Sequence, residues 1–130
     1  MAIRDKRNNL EMFQGSTFRR TIRWSSESGP VDLTGYDIRM YIRHNYDSTI
    51  PTEELGIGSG ITIDDPTQGA FTIELTANQT ESMIVNLLNP SQKVLPFELY
   101  VYDLEYEKPD GFVDKLMFGS ITLYKEVTYD

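Results

Sequence analysis

The chain has 130 residues, 20 Asp and Glu against 12 Lys and Arg, 39% hydrophobic and 25% charged residues. That length suits one domain around one core; no run approaches the ~20 apolar residues of a membrane helix, and the start, Met-Ala-Ile-Arg-Asp-Lys-Arg-Asn-Asn, lacks the apolar stretch of a secretory leader. The absence of cysteine excludes disulfides, thiol catalysis and thiolate metal sites, and the net charge of −8 opposes nonspecific nucleic-acid binding, which needs clustered Lys and Arg.

Residues 1–9 are polar, basic and aperiodic, and read as an N-terminal arm ahead of a single domain spanning 10–130. Leu10 to Phe13 reads as a short edge strand and Gln14-Gly15-Ser16 as a turn. Thr17 to Trp24 follows as a strand with Phe18, Ile22 and Trp24 on one face and Thr17, Arg19, Thr21 and Arg23 on the other. Arg20 falls on the core side, which demands a bulge, a rim position or an acidic partner. Val31 and Leu33 form a short apolar plug after the Glu27-Ser28-Gly29-Pro30 turn. Tyr36 to Arg43 is the next strand, with Ile38, Met40 and Ile42 inward and Arg39 and Arg43 outward, expected beside Arg19 and Arg23. His44 to Gly60 is polar and glycine-rich, and is expected to be a long contact loop.

Ile61 to Asp64 and Ala70 to Leu75 read as a hairpin across Asp65-Pro66-Thr67-Gln68-Gly69. Thr76-Ala77-Asn78-Gln79 has the form of a capping box, and Met83, Ile84, Leu87 and Leu88 recur at helical spacing, so one short helix follows. Phe97 to Leu123 is a second hairpin. Tyr100, Tyr102, Leu104 and Tyr106 alternate with Leu99, Val101, Asp103 and Glu105, and Pro109-Asp110-Gly111 supplies its turn. Beyond the turn Val113, Lys115 and Met117 face one way while Phe112, Leu116, Phe118 and, past Gly119, Ser120 continue the other, and Ser120 to Val127 closes the chain with Ile121 and Leu123 inward. About seven short strands and one short helix favour an all-β antiparallel sandwich.

No constellation in the sequence carries chemistry. The only imidazole, His44, has no nucleophile elbow around it; Asp64-Asp65 and Asp110 to Asp114 lack the ligand density of a calcium loop and read as turns; Gly56, Gly58 and Gly60 lack the lysine and helix of a phosphate loop. The reading is a nonenzyme with no cofactor and no metal. Charge is unevenly placed: residues 1–43 hold eight Lys and Arg against five acids, residues 44–130 four against fifteen. Arg19, Arg20, Arg23, Arg39 and Arg43, interleaved with Trp24, Tyr36 and Tyr41, therefore suit a protein partner better than a nucleic acid. Arg4, Lys6 and Arg7 of the arm are expected to pair with the acidic half of a second copy, and Tyr46, Glu53 and Glu54 to offer contacts from the loop.

Gln14 to Trp24, Val31-Asp32-Leu33-Thr34-Gly35-Tyr36, Arg39-Met40-Tyr41-Ile42-Arg43 and Tyr100 to Tyr106 together resemble a family of small bacteriophage and prophage proteins, the N-terminal domain of baseplate upper proteins. The resemblance covers residues 10–127. It implies an immunoglobulin-like β-sandwich and a noncatalytic virion component of a tail, baseplate or neck, made in the host bacterial cytoplasm. It further implies an oligomer within the particle, contacting other virion structural proteins and neither membrane nor nucleic acid. The alternatives are a capsid decoration protein or a carbohydrate-binding, host-adhesion module using Tyr46, Tyr102 and Tyr106.

Overall fold

The computed structural model describes residues 6–85 and 96–126. Five strands come first in the chain: β1 (Leu10–Phe13), β2 (Phe18–Arg23), a two-residue ribbon of β3 (Ser25–Ser26) with β4 (Gly29–Pro30), and β5 (Asp37–Arg43). β6 (Glu53–Ile57), β7 (Gly60–Asp65) and β8 (Ala70–Leu75) follow, then α1 (Ala77–Val85), β9 (Phe97–Glu107) and β10 (Val113–Tyr124). Eight strands share one hydrogen-bonded sheet in the order β1-β10-β9-β5-β6-β7-β8-β2.

That sheet cannot be flat. Its outermost strands, β1 and β2, are joined only by Gln14 to Thr17, a link that reaches at most about 18 Å, whereas eight flat strands would separate them by ~33 Å. The sheet therefore turns back on itself at the short parallel β6/β7 junction, where only Gly56↔Gly60 and Ile57↔Ile61 pair. The result is two facing layers, β1-β10-β9-β5-β6 and β7-β8-β2. Taken in chain order, the eight strands occupy the places of A, B, C, C′, D, E, F and G in an immunoglobulin-like sandwich, with G, F, C and C′ opposite D, E and B. The all-β sandwich with one short helix is thus the class observed. Its pairing is not wholly antiparallel, because β1 runs parallel to β10 from Leu10↔Ile121 to Phe13↔Tyr124.

One cluster fills the space between the layers. Ile38, Met40 and Ile42 of β5 and Tyr100, Tyr102 and Leu104 of β9 meet Phe71, Ile73 and Leu75 of β8, all nearly fully buried. At the edge of the first layer Leu10, Met12, Ile121 and Leu123 join them. Tyr100 donates its hydroxyl to the carbonyl of Met83 at 2.9 Å, tying β9 to α1. The helix begins as a reciprocal cap: the Gln79 N–H donates to Thr76 Oγ1 at 3.2 Å, and Gln79 Oε1 accepts from the Thr76 N–H at 2.8 Å. Leu87 and Leu88, expected on this helix, lie outside the described residues.

Several expectations are corrected. The stretch His44 to Gly60 is not one loop, since β6 pairs with β5 from Ile42↔Glu53 to Arg39↔Gly56 and buries Leu55. Arg39 and Arg43 do not neighbour Arg19 and Arg23, because β5 lies between β6 and β9 while β2 pairs with β8 in the other layer. For Arg20 the expected rim position is the one observed, without a bulge. The residue sits opposite Ile73 in an unbroken register, and its guanidinium leaves at the sheet edge, 5.6 Å from the centre of the Phe18 ring. Trp24 lies just past the end of β2 and is half-buried, closing the mouth of the core against Tyr106 and Tyr36 at ring separations of 4.8 and 6.1 Å. In β10 the face changes at a bulge between Lys115 and Met117, ahead of Gly119, so Leu116 and Met117 are both buried.

Candidate protein-contact surface

The outer face of β5, β9 and β10 gathers more chemistry than any other part of the described surface. Cross-strand register places its residues in rows: Phe118, Asp103 and Tyr41 lie side by side, then Ser120, Val101 and Arg43, and toward the far end Lys115, Glu105 and Arg39. Residues directly opposite on neighbouring strands share a face and touch, so sequence alternation on three strands creates one continuous surface. A groove of about 490 Å³ opens on it, lined by Tyr41, Arg43, Tyr46, Val101, Phe118 and the charged row.

The charged row is closed on itself. Arg39 donates from Nε to Glu105 at 2.7 Å, and from Nη1 to Asp37 at 3.0 Å and to Glu107 at 3.4 Å. Lys115 Nζ lies 3.1 Å from Asp103 and 3.0 Å from Glu105. Burial acts against the charge on Glu105, but the Lys115 and Arg39 hydrogen bonds outweigh it and hold the carboxyl below its ordinary range. The hydrogen bond to Glu105 likewise leads the causes that raise Arg39, with burial opposing.

The aromatic end is open. Tyr46 is 76% exposed, and Tyr41 also faces solvent. Arg43 donates from Nη1 to the Ser48 carbonyl at 2.9 Å, which pins the turn after β5, and its guanidinium stands 5.9 Å from the Tyr41 ring centre. Arg43 has no carboxylate partner among the described residues.

The structure thus unites Arg39, Arg43 and Tyr46, with Glu54 beside Tyr41 on the same face, and separates Arg19, Arg23 and Glu53 from them. Arg19 pairs with Glu74 on the opposite layer, where Arg23 ends β2. Glu54 sits opposite Tyr41, while Glu53 accepts from Gln79 Nε2 at 3.1 Å and belongs to the helix junction. Arg4 lies outside the described residues. Within the chain, Lys6 pairs with Asp114 at 3.1 Å, and Arg7 lies over Phe118 at 5.0 Å from its ring centre. Residues 6–9 are a strap along β10, not a free arm. The Asn8 N–H donates to the Phe118 carbonyl at 2.8 Å, Asn9 Oδ1 accepts from the Ser120 N–H at 3.0 Å, and the Tyr102 hydroxyl donates to the Asn8 carbonyl. Burial pushes the Tyr102 phenol up to about 12.

Two of the three rings considered for glycan stacking are consequently unsuited to it, since Tyr102 and Tyr106 are 3% and 8% exposed. Phe118, Lys115 and Asp103 are surface members that sequence reading did not single out. The alternation on β9 carried a signal for Asp103, but the β10 bulge concealed the other two.

No family model matches this sequence, and neither does any curated protein. Among solved structures, murine CRIg aligns over 91% of this chain and 92% of its own at 11% identity and a TM-score of 0.40. A VGSC β subunit, from a study of multimeric cell-adhesive interactions, aligns over 95% and 94% at 13% identity and 0.41. The extracellular domain of the voltage-gated sodium channel β4 subunit aligns over 94% of both chains at 10% identity and 0.39.

Proposed function

We propose that this chain is a noncatalytic structural subunit of a bacteriophage particle, in a tail, baseplate or neck, joined through protein contacts to other virion proteins and to copies of itself. The reading rests on the resemblance across residues 10–127. The structural observation that carries it is the outer face of β5, β9 and β10, where exposed Tyr41 and Tyr46 and half-buried Arg43 stand on the sheet beside charges already bonded to one another. Such a face offers aromatic and guanidinium contacts without the entropy cost of ordering loops. A sandwich with a filled core positions that face as a spacer positions its ends. The chain would be made in the host bacterial cytoplasm and reside in the virion.

The test is to band particles of the phage or induced prophage that encodes this chain on a density gradient, and to identify the proteins of the particle band by mass spectrometry. The chain is expected in that band at a fixed ratio to the other structural proteins. Its presence in the soluble fraction alone would overturn the reading.

A further inference from the structure

We infer that the groove on β5, β9 and β10 receives an extended segment of a partner protein that presents two carboxylates flanking an apolar side chain. This deepens the proposed function by naming the partner's chemistry, and rests on that reading only for where the partner occurs.

Positive charge is left over at the borders of the groove. Lys115 and Arg39 are saturated by Asp37, Asp103, Glu105 and Glu107. The two guanidiniums at the opposite borders of the groove, Arg7 and Arg43, have aromatic and carbonyl neighbours and no carboxylate among the described residues. Between them run Phe118, Val101 and Asp103, the last neutralised by Lys115, with Tyr41 and Tyr46 beside Arg43 and Glu54 on the far side of Tyr41. An incoming carboxylate is therefore attracted to each border and repelled at the acidic end, which fixes the placement of the segment.

Spacing fixes its length. Arg7 bridges to Phe118 on β10, and Arg43 lies on β5, two strands further across, so the borders stand about 15 Å apart at ~4.8 Å per strand. An extended chain places residues i and i+4 on one face at ~13 Å, with i+2 between them. The partner sequence is accordingly acid-x-apolar-x-acid, its middle side chain seated on Phe118 and Val101. The groove volume of about 490 Å³ accommodates those side chains.

The probe is a blocked peptide, acetyl-Ala-Glu-Thr-Leu-Thr-Glu-Ala-amide, titrated into the isotopically labelled full chain while amide shifts are followed by NMR, beside a control with both glutamates replaced by glutamine. Shifts are expected at residues 39–46, 101–105 and 118, with affinity at least tenfold weaker for the glutamine peptide and for Arg43→Gln. Arg7→Gln, which also borders the strap, is compared at a temperature where its melting curve shows it fully folded, and is expected to weaken binding likewise. Equal binding of both peptides, shifts confined to other surfaces, or no shift with either at millimolar concentration would overturn the inference. Particle occupancy does not depend on this result, so the failure of one reading is distinguishable from that of the other.

Discussion

Two buried residues decide how the first layer meets its neighbours. Tyr100 is 1% exposed, and its hydroxyl is held by the Met83 carbonyl. Tyr100→Phe keeps the ring but orphans that carbonyl, so a loss of about 1 to 2 kcal/mol in urea unfolding is expected. Gly119 acts differently. Its backbone is not in the left-handed region, but a Cβ there would lie 2.6 Å from the Asn8 carbonyl oxygen and 2.7 Å from Asn9 Oδ1. The glycine is needed for the close approach of the strap alone. Gly119→Ala is expected to cost about 1 to 3 kcal/mol in the full chain and almost nothing in a chain lacking residues 1–9, a non-additivity that a double-mutant cycle measures.

At the scale of elements, the β9/β10 hairpin was the most legible part of the sequence, because alternating Tyr and Leu against Val, Asp and Glu leaves one register that buries the apolar set. Its bulge was not legible. Lys115-Leu116-Met117-Phe118 has no alternation, and the place of the extra residue is settled by pairing, with Lys115 opposite Glu105 and Met117 opposite Leu104. β6 escaped for a related reason: Glu53-Glu54-Leu55-Gly56-Ile57 buries a single side chain, and its extended form comes from pairing with β5. The ionic row on this hairpin gives a pH dependence. Because Glu105 titrates below its ordinary value in the fold, the unfolded chain takes up its proton first. The stabilisation is present above the ordinary Glu range and is lost as pH falls through the lowered value. Glu105→Gln is expected to cost about 1 kcal/mol at pH 7, as partly exposed pairs do, and to flatten the decline in melting temperature between about pH 5 and pH 3.

For the whole molecule, composition and turn spacing were enough for an all-β sandwich with one helix, whereas the strap was invisible. Residues 6–9 have no apolar periodicity, and they are held by Asn8, Asn9, Lys6 and Arg7 through contacts whose partners lie more than a hundred residues away in Asp114, Phe118 and Ser120. Removing residues 1–9 is therefore expected to lower the melting midpoint by about 5 to 10 °C, the equivalent of ~2 kcal/mol for a domain of this size; an unchanged midpoint would show that the strap contributes nothing. The candidate site was half legible for the same reason. Arg39, Arg43 and Tyr46 advertise themselves as residue types, but their company, Phe118, Asp103 and Lys115, is assembled by strand order, and a period-two pattern does not encode which strands are neighbours.

The central claim is that the outer face of β5, β9 and β10 is where this subunit meets other proteins of a particle. An electron-microscopic map of the purified particle, with the subunit placed by its two-layer shape, tests it most directly. A neighbouring chain is predicted against Arg43, Tyr46 and Phe118, in extended conformation across the strands. A particle in which the subunit is placed with that face open to solvent would contradict the account.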